Sequence, residues 1–82
     1  MQFVWDAVNE AEIQAHQVTK EIAVALFSSY DFRVLPNSKI LNRWTGEGTV
    51  GGVLYRVAFS KAFPAGVRIT TAFQISRKRR QT

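Results

Sequence analysis

Two segments in the second half of the chain alternate apolar and polar residues, and this pattern restricts the fold more than any other feature. In Val53 to Ser60, the residues Val53, Tyr55, Val57 and Phe59 fall on one face and Leu54, Arg56, Ala58 and Ser60 on the other. In Val67 to Ile75, one face carries Val67, Ile69, Thr71, Phe73 and Ile75, and the other Arg68, Thr70, Ala72 and Gln74. A period of two marks a strand with one buried face, because successive side chains of extended backbone point to opposite sides. Phe63-Pro64-Ala65-Gly66 between them is a turn signal. The two segments therefore read as antiparallel strands, with Arg56 and Arg68 on the exposed face or its edge.

The remaining elements are assigned around this pair. Gln2 to Trp5 suits a short strand, and Asp6 is placed to cap a helix running from Ala7 to about Gln17, on which Asn9, Ile13 and His16 share a face. Thr19 can cap a second helix, Lys20 to Phe27, with Glu21 in its first turn and a stripe made of Ile22 with Leu26 and Ala23 with Phe27. Tyr30 to Leu35 alternates around Phe32 and Val34, Pro36-Asn37-Ser38 is a turn signal, and Lys39 to Thr45 reads as a further strand. Gly46 to Gly52 reads as a glycine-rich connection. A phosphate-loop reading of it fails, because no Lys-Ser or Lys-Thr ends it and no helix follows. The order predicts an α+β fold, with an N-terminal strand and two helices packed on a mainly antiparallel sheet. With 82 residues, one domain spanning 1–82 and a thin core are expected, residues 77–82 reading as a flexible basic tail.

Charge is distributed unevenly. Residues 1–32 carry Lys20 against Asp6, Glu10, Glu12, Glu21 and Asp31, whereas residues 33–82 carry ten Lys or Arg against Glu47 alone. Such an asymmetry points to a polyanionic partner for the basic half. Arg77, Lys78, Arg79 and Arg80 form the densest cationic run, and with Arg56, Lys61 and Arg68 leading into it they fit phosphate binding that weakens as salt rises. A solvated tail is the plainer alternative. Trp44 and Tyr55 could stack on bases, although both residue types more often serve the core or sheet surface.

Other chemistries are narrowed by what the chain contains. There is no cysteine and one histidine, so no thiolate or multi-histidine metal site is expected, and no cofactor. His16 is open to two readings, a cation at the negative end of its helix or a general base or phosphate contact. The longest apolar run, Ile22 to Phe27, is far short of the roughly 20 residues that span a bilayer. No membrane segment or signal peptide is expected, and a cytoplasmic location follows as the default.

Taken in order, Phe3-Val4-Trp5-Asp6, Asn9, Ile13, His16, Val18, the stripe from Ile22 to Phe27, Arg43, Gly51, Val53-Leu54-Tyr55-Arg56-Val57-Ala58-Phe59, Arg68-Ile69 and Ser76-Arg77 resemble the BrnT family. The resemblance covers nearly the whole chain. It implies a RelE-like fold and a toxin of a toxin-antitoxin pair: an endoribonuclease that cuts RNA without metal and is neutralised by a cognate DNA-binding antitoxin. With it, His16, Arg43, Arg56, Arg68 and Arg77 are the candidate catalytic residues, while the charge pattern gives Lys61, Lys78, Arg79 and Arg80 as RNA contacts. The chain departs from the family pattern at Gln17, where a glycine is usual, and at Gly52, where an arginine is usual. It departs again after Ala72, where Phe73 and Gln74 stand in place of arginine and a charged residue. These departures keep open a non-catalytic module of the same fold that binds RNA or an antitoxin partner.

Overall fold

A computed structural model describes residues 2–36, 42–62 and 66–75. It is an α+β fold with the element order β1 (Phe3–Val4), α1 (Ala7–Ala15), α2 (Lys20–Leu26), β2 (Arg33–Val34), β3 (Trp44–Val50), β4 (Val53–Ala62) and β5 (Gly66–Gln74). The strands form one sheet in the order β1-β5-β4-β3-β2, antiparallel except where β1 lies parallel to β5. No helix among the described residues is long and apolar enough to cross a membrane.

Both helix starts follow the capping chemistry expected of them. The Asp6 carboxylate accepts from the amides of Val8 and Asn9, and the Asn9 side chain accepts in return from the Asp6 amide, so orphan donors of the first turn are satisfied reciprocally. Thr19 Oγ1 accepts from the Ile22 amide at 3.2 Å. α1 ends at Ala15, and Gln17 turns the chain with a φ of 62°.

α2 packs on one face of the sheet, and the core between them consists of Ile13, Val18, Ala23, Leu26, Val57, Phe59, Ile69 and Ala72. α1 runs beside β5, contributing Ile13 to this core. Asn9 sits in the fork where β1 and β5 part, donating from Nδ2 to the Val4 and Ile69 carbonyls at 2.9 Å each.

The stretch read from sequence as a glycine-rich connection is corrected: it is most of β3. Thr45, Glu47 and Thr49 face away from the core, while Gly46 and Gly48 face it, paired with Val57 and Tyr55 of β4. Close approach explains the glycines. A Cβ on Gly46 would meet the Phe32 ring at 2.6 Å, so only a residue without a side chain lets Phe32 cover the strand there. The connection itself is Gly51-Gly52, both at positive φ, which joins the Val50↔Val53 pair as a two-residue hairpin turn.

Two other expectations shift. The strand expected over Tyr30 to Leu35 shrinks to Arg33–Val34, because Asp31 is taken up in a turn. Of the strand expected over Lys39 to Thr45, residues 39–41 lie outside the described residues and Trp44 and Thr45 belong to β3. In β5 the register slips by one between Ala58 and Phe59, which pair with Thr71 and Ile69. Thr70 is the extra residue of this bulge. The strict alternation breaks there, so Ala72 joins Ile69 in the core, and Thr71 and Phe73 turn to the opposite face.

Asp31 locks the turn before β2 onto β3. Its carboxylate accepts from Ser29 Oγ, from the Thr49 amide at 2.9 Å and from Thr49 Oγ1 at 2.6 Å. These donors, Ser29 first, hold its pKa down to about 2 from the usual 3.8. Because the folded value lies below the unfolded one, the ionised carboxylate stabilises the fold above about pH 4, and that contribution is lost as pH falls toward 2. The thermal midpoint should therefore decline across this window, and Asp31→Asn should decline less steeply over it. An unchanged slope in the variant would remove Asp31 as the cause.

Candidate nucleic-acid interface

The face of the sheet opposite the core gathers most of the described polar candidates. Residues paired directly across neighbouring strands share a face. Arg33 pairs with Glu47, Glu47 with Arg56, and Arg56 with Phe73, so one row crosses β2, β3, β4 and β5 on this side. His16 extends the row beyond β5, its ring centroid 5.8 Å from that of Phe73.

α1 brings His16 there by running alongside β5. Glu12 meets Thr71 and His16 meets Phe73, and the two spacings match: one step of i to i+4 along a helix advances about 6 Å and two strand residues about 6.8 Å. Glu12 holds both neighbours through one oxygen, Oε2, which lies 3.2 Å from His16 Nε2 and accepts from Thr71 Oγ1 at 3.0 Å. With Nε2 engaged, Nδ1 is the imidazole nitrogen left to exchange a proton with a ligand.

Glu47 organises the centre of the row. Its Oε2 accepts from Nε of Arg56 at 3.0 Å and also pairs with the Arg56 Nη2, while Oε1 lies 3.6 Å from Nη2 of Arg33. The carboxylate is 14% exposed, and the arginines 42% and 69%. Two cations on one anion leave a net positive charge at the surface.

Arg68 lies on the same face but in another row, paired with Ser60. Four residues of β4 separate that row from Arg56, about 13 Å of strand. Arg68 donates from Nε and Nη2 to Asp6 at 3.1 and 3.2 Å, so the cap of α1 is tied to β5. The Asp6 carboxyl is held below its ordinary value, by the Asn9 amide first and by Arg68 as well, with partial desolvation opposing. Cations strung along a face in this way suit a polymer lying across the sheet better than one compact ligand.

The other candidates are placed differently. Arg43 is exposed and directly precedes β3, at the end of the sheet where Arg68 lies. Lys61 is exposed on the core side of β4, its Nζ 5.3 Å from the ring centroid of Trp44 and its backbone clasped by the Asn42 side chain. It does not join the row. Trp44 and Tyr55 pack against the core, Trp44 stacking on Phe59 at 6.0 Å, and neither faces the open side. Arg77, Lys78, Arg79 and Arg80 lie outside the described residues. Those residues contain six cationic and six anionic side chains, so the formal excess of +5 belongs to Lys39 and Arg77 to Arg80.

Glu12, Arg33, Glu47 and Thr71 join this face beside the residues expected from sequence. Glu12 stands four residues before His16, a helical spacing at which the contact could have been found. Glu47 could not be placed while β3 was read as a loop. A separate cleft of about 470 Å³ opens between α1 and α2, lined among others by Glu10, Ile13, Val18, Lys20 and Glu21, and it holds none of these candidates. No protein-family model and no curated protein matches the chain.

Proposed function

We propose that this protein is a ribonuclease of the toxin type, acting in the cytoplasm on single-stranded RNA and restrained by a DNA-binding antitoxin partner. The observation that carries the reading is the row of Arg33, Glu47, Arg56, Phe73 and His16 across the open face, with a carboxylate orienting the histidine. The resemblance to the BrnT family supplies the biological setting.

Chemically, RNA carries its own nucleophile. The scissile phosphate lies over Phe73, between His16 and Arg56. His16 Nδ1 takes the proton from the 2′-OH, the 2′ oxygen forms a bond to phosphorus, and the 5′ oxygen departs with a proton returned by the same imidazole. A 2′,3′-cyclic phosphate and a 5′-OH result. General acid-base help of this kind contributes roughly 10²- to 10⁴-fold. Arg56 counters the charge that develops on the non-bridging oxygens. Arg68 and the cationic run from Arg77 to Arg80 hold the strand.

A second reading, a module that binds without cutting, draws on one particular arrangement: Arg56 and Arg68 are each engaged by a carboxylate, and an uncharged ring, Phe73, occupies the middle of the row. Incubating the purified chain with single-stranded RNA and a chelator separates the two. Cleavage leaving cyclic phosphate ends, with DNA of the same sequence intact, is expected, as is growth arrest on expression without a partner. RNA that is bound in a salt-dependent way yet stays whole would establish the module instead.

A further inference from the structure

We infer that Arg33 and Arg56 form a phosphodiester-binding site that Glu47 keeps filled, so that an RNA strand binds by displacing the Glu47 carboxylate. The inference rests on the proposed RNA-binding reading and gives Arg33 and Glu47 a defined role in it.

Three observations carry it. The first is the position of the trio: consecutive strands of one register row place the two arginines on either side of Glu47, with Cα atoms about 10 Å apart at two strand spacings. A single phosphate midway between arginines so placed takes the position that the carboxylate now holds. The second is exposure, since the arginines are 42% and 69% open to solvent whereas the carboxylate between them is 14% open. A polyanion therefore meets the cations before it meets Glu47. The third is the balance of charge. One carboxylate leaves one cation unneutralised, so the trio attracts phosphate even when closed.

The energetics allow the exchange. The pairs are open on their arginine side, where solvent already stabilises the guanidinium and long side chains lose freedom when held, so they are weaker than fully buried ones. Arginine's planar fork suits a phosphate as well as it suits a carboxylate, so the exchange preserves its hydrogen bonds. Glu47 thus acts as a competitor that lowers affinity and raises selectivity for a strand presenting phosphates at the right spacing.

The test is binding of the full chain to a fluorescein-labelled, fully 2′-O-methylated single-stranded RNA, which the 2′-OH chemistry cannot cleave. Fluorescence anisotropy is followed over a series of salt concentrations. Glu47→Gln preserves size and some hydrogen bonding, and is expected to bind roughly tenfold tighter, with a steeper salt dependence, as one more phosphate contact forms. Glu10→Gln removes the same charge from the Lys20 pair near the cleft between the helices and should change affinity far less. Combining Glu47→Gln with Arg33→Ala should return affinity toward the wild-type value. Equal gains in the Glu47 and Glu10 variants would reduce the effect to net charge and overturn the inference, leaving RNA binding by the wild type in place. If neither the wild type nor Glu47→Gln binds the RNA, both the inference and the functional reading fall.

Discussion

Asn9→Ala should cost about 3 kcal/mol of folding stability, a large share of the total for a domain of this size. Asn9 is 1% exposed, and it is the described buried residue that carries a polar side chain. Its Nδ2 satisfies the carbonyls of Val4 and Ile69, and its Oδ1 accepts from the Asp6 amide at 2.8 Å. Alanine removes all three of these hydrogen bonds in a place water reaches poorly, and a donor or acceptor stranded in this way costs roughly 1–3 kcal/mol. A small cavity adds to that. Because the same side chain joins β1, α1 and β5, the loss should appear in urea denaturation as one cooperative shift. At this chain length about 3 kcal/mol corresponds to a fall in the thermal midpoint of roughly 15 °C. Asn9→Asp should be at least as harmful, since its carboxylate replaces a donor with an acceptor facing two carbonyls. A midpoint for Asn9→Ala close to that of an exposed control such as Gln14→Ala would show that the fork is held by something else.

How much of this was legible in the sequence depends on the range of the signal. Asp6 and Thr19 announced the helix starts because capping is decided within three or four residues. β4 and β5 announced themselves by period, and Arg56 and Arg68 were correctly put on the side away from the core. β3 was hidden because glycine is ordinarily a loop residue. Gly46 and Gly48 are there for the close packing of Phe32 and of the Leu26 carbonyl on the strand, a relation between segments that no local pattern expresses. The bulge at Thr70 was hidden for a similar reason. One extra residue reverses the facing of everything after it, so Phe73, counted with the core by alternation, comes out beside Arg56 and His16.

That reversal bears directly on the proposed catalysis. With Phe73 on the core side, its standing where the resembled BrnT pattern has arginine would concern packing alone. On the open face, between the imidazole and a guanidinium, it stands where, in the proposed reaction, a cation would touch the scissile phosphate. Three variants put numbers on this position. His16→Ala should lower RNA cleavage by roughly 100-fold or more, because the proton transfer loses its carrier, while an unchanged circular dichroism spectrum shows the fold intact. Arg56→Ala should lose roughly 100-fold as the charge developing on the phosphate goes uncompensated, and RNA binding should weaken much less than the rate falls. Phe73→Arg should move the other way. A third cation in the row raises cleavage by about tenfold, and pairing His16→Ala with Phe73→Arg should still leave the rate far below that of Phe73→Arg alone, since a cation does not replace the proton transfer. If Phe73→Arg tightens RNA binding without raising the rate, and His16→Ala leaves the rate unchanged, then the face is a binding surface and the second reading is the correct one.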